Sequence, residues 1–146
     1  MSASGRFDEQ AQAYASFDVE TVPLDAKLHD VATLLTRRGV TALAVAGRDT
    51  KIVGMLSSLD VLAAVELEMS AEGPPRALPT QRRAEEVMAR DLVTVDERAP
   101  LVEAATAMVE HRIHRVWVKS GETITGVLTV HDLMRAVAAH RIETPL

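Results

Sequence analysis

Apolar positions along this chain follow two periods, and each period occurs twice. Leu28, Val31, Ala32 and Leu35 recur at three- and four-residue steps, which places them on one face of a helix. Leu101, Ala104, Ala105 and Met108 do the same. A short β-type segment precedes each helix, Val19–Val22 in one case and Leu92–Val95 in the other. The turns between carry Pro23 and Asp25, or Asp96 and Pro100, and Gly39 stands where a helix C-cap is expected. Two further β segments follow each helix: Ala42–Ala46 with Ile52–Ser57, and Arg115–Lys119 with Ile124–Thr129. Gly47-Arg48-Asp49 and Ser120-Gly121-Glu122 supply the hairpin turns, and a second helix begins near Leu59 and near His131.

The chain is a duplication. Thr21-Val22 returns as Thr94-Val95 at an offset of 73, whereas Gly54 returns as Gly126 and Asp60 as Asp132 at an offset of 72. One residue is missing from the second copy, in the turn after Gly47 and before Gly126, where a loss is best tolerated. Between these anchors Leu28 matches Leu101, Leu35 matches Met108, Val40 matches Ile113 and Val65 matches Val137. Leu43, Val45 and Leu56 match Val116, Val118 and Leu128. Two copies of this length do not make a solenoid. The pattern predicts an α/β (α+β) fold of two β-α-β-β-α repeats packed as one pseudo-two-fold module.

The repeats occupy residues 17–70 and 84–140, joined by a linker at 71–83 whose neighbourhood holds Gly73, Pro74, Pro75 and Pro79. Glu85 and Glu86 begin a short helix, and residues 141–146 form a tail. Ahead of the first repeat lies an arm, 1–16. Phe7, Ala11 and Tyr14 share one helical face, predicting a short helix over 6–16 that packs on the module.

Composition narrows the chemistry. Aromatics are only 3% of 146 residues, so Val, Leu, Ala, Ile and Met must build the core. A net charge of −5 and the lack of a basic stripe with stacking aromatics argue against nucleic acid. With no cysteine, disulfides, thiolate metal sites and cysteine nucleophiles are excluded. Met1–Glu9 is polar and the apolar runs are short, which predicts a cytoplasmic protein without a membrane anchor. His111 and His114 stand three apart, but no third ligand is suggested and no metal site is expected.

Each copy ends its third strand in the same pattern: Gly54-Met-Leu-Ser57-Ser-Leu-Asp60-Val61, and Gly126-Val-Leu-Thr129-Val-His-Asp132-Leu133. With the Val87–Asp91 lead-in and the Ile113–Val118 strand entry, the duplicated unit resembles the tandem CBS pair, or Bateman module, over residues 17–140. Departures are Ala44 and Trp117 where that family often has Pro, and a first copy without the Met-containing lead-in.

The resemblance implies that Thr129 and Asp132 recognise a ribose, the carboxylate accepting hydrogen bonds from both vicinal hydroxyls. Ser57 and Asp60 are their counterparts. The same Ser/Thr-x-x-Asp spacing is also a helix capping box, and both readings stand. His114-Arg115 resembles the phosphate-holding His-Arg of the γ subunit of AMP-activated protein kinase, and an arginine fork suits phosphate. A solvated pair at a strand start is the alternative, and the first copy has Thr41-Ala42 instead. The family's pocket is composite. By resemblance, Val40 and Thr41, with backbone near Glu20, face the base of the nucleotide on Asp132, while Val93 and Ile113 serve Ser57 and Asp60.

The module is thereby expected to be a sensor, not an enzyme, since no nucleophile, base and oxyanion donor can be assembled from its residues. Its ligand is expected to be AMP, ADP, ATP or S-adenosylmethionine, in the cleft between repeats, with a separate effector protein as partner. The alternative is a ligand-independent interaction module with decayed sites. A homodimer is expected through the second helices, Leu59–Glu68 and His131–His140, by way of Val61, Leu62, Val65, Met69, Leu133, Met134 and Val137.

Overall fold

The computed structural model describes residues 9–69 and 81–139. They divide into two compact units, one of 20–69 with 81–92 and one of 9–19 with 93–139.

The first unit runs β1 (Thr21–Pro23), α1 (Leu28–Arg38), β2 (Ala42–Ala46), β3 (Ile52–Ser57), α2 (Ser58–Met69) and a one-turn α3 (Ala84–Val87). Its sheet has the order β1-β2-β3, with β1 parallel to β2 and β3 antiparallel to it. A parallel neighbour needs a crossover, and α1 supplies it. The second unit repeats this with β4 (Thr94–Asp96), α4 (Leu101–His111), β5 (Arg115–Ser120), β6 (Thr123–Thr129) and α5 (Val130–Ala139), in the sheet order β4-β5-β6. The duplication read from the apolar pattern is thus a duplication of architecture.

Each unit has its own core. Leu43, Val45 and Leu56 alternate onto one face of the first sheet and join Leu28, Val31 and Leu35 of α1 with Val61 and Ala64 of α2. Val116, Val118 and Leu128 likewise join Leu101, Ala104, Met108, Leu133 and Ala136. A fully buried Leu or Val side chain stabilises by about 1.5–3 kcal/mol, so these faces fix strand register. Ala44 and Trp117 point to the opposite face of their sheets and are also buried. The Trp117 indole N–H has no acceptor among the described residues.

The missing residue is located by the hairpins. Partners Ala46 and Ile52 enclose residues 47–51, whereas Lys119 and Ile124 enclose only 120–123. Chain reversal uses a left-handed residue in both turns, Thr50 in the first and Gly121 in the second.

The segment ahead of each repeat belongs to the unit of the other repeat. The N–H groups of Ala84, Glu85 and Leu28 donate to Ala26, Leu24 and Arg82 carbonyls at 2.7, 2.9 and 2.9 Å. Ala11, Gln12 and Leu101 donate to Ala99, Glu97 and Glu9 at 2.7, 2.9 and 2.8 Å. Farther along, Met55 and Ala89 exchange both backbone bonds, and so do Val127 and Ser16. Residues 9–17 are therefore the counterpart of 82–90, at the same offset of 73 (Ala11 to Ala84). The helix expected over 6–16 is replaced, among its described residues, by a single 3-10 turn at Ala11–Ala13. An edge of backbone N–H and C=O groups on the second unit holds this stretch extended on either side of the turn. Phe7, residue 70, residues 71–80 of the linker and residues 140–146 lie outside the described residues.

Candidate functional site

Both Ser/Thr-x-x-Asp motifs sit where a strand turns directly into a helix, without an intervening loop. In the second unit Thr129 ends β6, and Asp132 lies in the first turn of α5. The Thr129 N–H donates to Asp132 Oδ2 at 2.8 Å, and its hydroxyl donates to the same oxygen at 3.0 Å. The Asp132 N–H donates back to Thr129 Oγ1 at 3.2 Å. In the first unit the Ser57 N–H donates to Asp60 Oδ2 at 2.8 Å, and the Asp60 N–H donates to Ser57 Oγ at 3.1 Å. These are reciprocal capping boxes, each satisfying two N–H groups at a helix start. A box occupies Oδ2 and leaves Oδ1 to other chemistry.

Cross-strand pairing brings the remaining polar candidates to the same corner. Arg115 opens β5 directly opposite Thr129, and the His114 carbonyl accepts the Val130 N–H at 2.9 Å. Burial lowers the Arg115 pKa from its ordinary value, while a guanidinium still keeps its charge at neutral pH. His114 is exposed. In the first unit Ala42 stands opposite Ser57, and the Thr41 carbonyl accepts the Ser58 N–H at 2.8 Å and its hydroxyl at 3.3 Å. Val40 is 41% exposed beside Thr41, an uncovered apolar group at a strand entry. Ahead of the sheets, the Glu20 carbonyl accepts the Ala44 N–H at 3.1 Å and the Val93 carbonyl accepts the Trp117 N–H at 2.8 Å.

The structure therefore groups Thr129, Asp132, His114 and Arg115 in one unit, and Ser57, Asp60, Val40 and Thr41 in the other. Only the former group carries a cation. Sequence reasoning passed over Arg135, three residues after Asp132 on α5. Its guanidinium donates to Asp132 Oδ1 at 2.8 Å and to the Tyr14 carbonyl at 3.5 Å. Helical i,i+3 spacing was the signal that could have found it. At the far ends of β1 and β2, Pro23, Leu24, Asp25, Ala46, Gly47 and Arg48 line a cavity of about 290 Å³ with Arg83 and Glu85. It holds none of the motif residues.

The family model for the CBS domain matches residues 11–67 and again 84–139, so each match begins at the lead-in, not at the first strand. An uncharacterized 33.4 kDa protein in a ribosomal RNA operon of Thermofilum pendens is 29% identical over 128 residues, covering 86% of this chain. The chain spans only 38% of that relative's length. Among solved structures, a CBS domain protein from Pyrobaculum aerophilum complexed with AMP has a TM-score of 0.72 at 23% identity. That likeness covers 90% of this chain and 99% of the other. The CBS domain pair of protein MJ0100, in complex with 5′-methylthioadenosine and S-adenosyl-L-methionine, has a TM-score of 0.72 at 20% identity. It covers 89% of this chain and 96% of that one.

Proposed function

The chain belongs to the CBS-domain family, and from that premise we propose that it is a regulatory module for an adenosine-containing ligand. The observation that carries this reading is the pair of strand-to-helix corners, each holding a carboxylate by one oxygen in a capping box. The other oxygen is an acceptor for a ribose diol. AMP, S-adenosylmethionine and 5′-methylthioadenosine share such a diol, and relatives of this fold bind them. Thr129, Asp132, His114 and Arg115 form the better-equipped corner, where Arg115 and His114 serve an anionic group. Ser57 and Asp60 form the second, which lacks a cation opposite its serine.

The module works without catalysis. Unequal affinity of the ligand for two arrangements shifts their populations, and the output passes to a separate effector protein in the cytoplasm. No described helix is long and apolar enough to cross a membrane. The chain acts as a homodimer, supported by the apolar surface α2 leaves in water: Leu59, Leu62 and Met69 are all exposed.

A second reading, a ligand-independent interaction module, is favoured by Ala42 standing opposite Ser57 where Arg115 stands opposite Thr129. Thermal shift with AMP, ADP, ATP and S-adenosylmethionine separates the two, because only a sensor is stabilised. Asp132→Asn then localises the ribose. The amide oxygen keeps an acceptor for the Thr129 N–H, while the charge and the Oδ1 acceptor are lost. Hydrogen bonds to a charged group are worth about 1.5–3 kcal/mol, so affinity should fall about ten- to a hundredfold in calorimetry. Unchanged affinity would place the ribose elsewhere.

A further inference from the structure

The two carboxylates are not equivalent. A carboxylate offers about four acceptor positions. At Asp132, Oδ2 takes the N–H and the hydroxyl of Thr129, and Oδ1 takes the Arg135 guanidinium at 2.8 Å. One position remains, and a vicinal diol brings two donors. Arg135 is itself steadied from the lead-in segment. The Tyr14 carbonyl accepts from the same nitrogen at 3.5 Å, and the guanidinium carbon lies 6.0 Å from the Tyr14 ring centroid. In the first copy Ala63 takes the place of Arg135 and Val87 the place of Tyr14. There Oδ1 of Asp60 has no protein partner among the described residues.

We propose that Arg135 is a specificity-determining latch on Asp132, which selects adenosyl ligands bearing an anionic group over neutral ones at the second copy. The inference rests on the reading of Asp132 as the ribose acceptor. A diol that docks on Asp132 displaces the guanidinium from Oδ1. The Arg135 side chain is about half exposed and the Asp132 side chain mostly buried, so the arginine is the partner that moves. The 5′ substituent of the same sugar lies one ring away, within reach of this side chain. If the substituent is a phosphate, the fork exchanges a carboxylate for a phosphate and keeps a charged partner. If it is neutral, the guanidinium loses that bond and gains none. The first copy, with Ala63, makes no such distinction.

The test uses the full chain carrying Asp60→Asn, which removes the first copy's charge and retains an oxygen for the Ser57 N–H. Calorimetric titrations of AMP and of adenosine are compared with and without Arg135→Met, which keeps the length and loses the charge. The preference for AMP over adenosine should fall by about tenfold in the Arg135→Met chain. Loss of packing alone would weaken both ligands together and leave the ratio unchanged, and an unchanged ratio overturns the latch. Absence of binding by either ligand to the Asp60→Asn chain would instead overturn the ribose reading of Asp132, and the latch with it.

Discussion

Gly126 lies so close to Ser16 that a Cβ at position 126 would stand 2.8 Å from the Ser16 carbonyl oxygen and 2.9 Å from the Phe17 ring. Gly54 meets Ala89 in the same way, its Cβ position 2.8 Å from that carbonyl oxygen. Both contacts adjoin the antiparallel bridges Ser16–Val127 and Met55–Ala89. The glycine of the repeated motif is therefore explained by a backbone crossing, separately from any ligand.

Gly126→Ala should accordingly destabilise the chain by about 1–3 kcal/mol, because a backbone carbonyl cannot rotate aside as a side chain can. Urea denaturation measures this directly. A midpoint equal to that of the unsubstituted chain would show that the 9–17 segment is not held against β6.

The core faces of α1 and α4 and the limits of β2 and β3 were legible because period and burial coincide there. Leu28, Val31 and Leu35 are buried as their spacing demands. The place of residues 9–17 was not legible. Ala11-Gln-Ala-Tyr-Ala-Ser-Phe17 and Ala84-Glu-Glu-Val-Met-Ala-Arg90 have only the leading alanine in common, because backbone bonds position both segments. A hydrogen-bond ladder selects for no particular side chain. The geometry of the candidate site was half legible for a related reason. Spacing located Thr129 and Asp132, but it could not show that their capping box leaves Oδ1 to Arg135.

Arg112 ends α4 in the left-handed conformation, φ +54°, where Gly39 ends α1 at φ +64°. An L-residue there costs about 1–2 kcal/mol that glycine escapes. Arg112→Gly should raise unfolding stability by about 1 kcal/mol, with part of the gain offset by the greater freedom of glycine in the unfolded chain. A denaturant midpoint that falls would mean the arginine side chain contributes more than its backbone strain costs.

Arg115 stands opposite Thr129 with its guanidinium partly withdrawn from water. If it serves the ligand's phosphate, Arg115→Ala should weaken AMP by about tenfold and adenosine by much less. AMP affinity should also decline as salt rises, since screening acts on the charged ligand alone. Equal losses for the two ligands would assign Arg115 to packing of the strand entry.

The α2 face read from sequence included Val61 and Val65, but the structure turns Val61 and Ala64 into the core and leaves Leu59, Leu62 and Met69 outside. These three are 73%, 62% and 77% exposed and follow one another at helical spacing along one stripe. On α5, Leu133 is buried and Met134 exposed. A second copy covering the α2 stripe predicts a light-scattering mass of about twice 15.8 kDa at micromolar concentration. Leu62→Glu should return the chain to a monomer with unchanged circular dichroism, because an exposed position tolerates a charge until a partner buries it. The rival cover is the chain's own beginning. Removing residues 1–16 would confound that test, since Ser16 pairs with Val127 and Ala11 bonds to Ala99. Removing residues 1–8 spares those bonds. A monomeric full chain that self-associates only after this shorter deletion would defeat the dimer and identify the first eight residues as the cover.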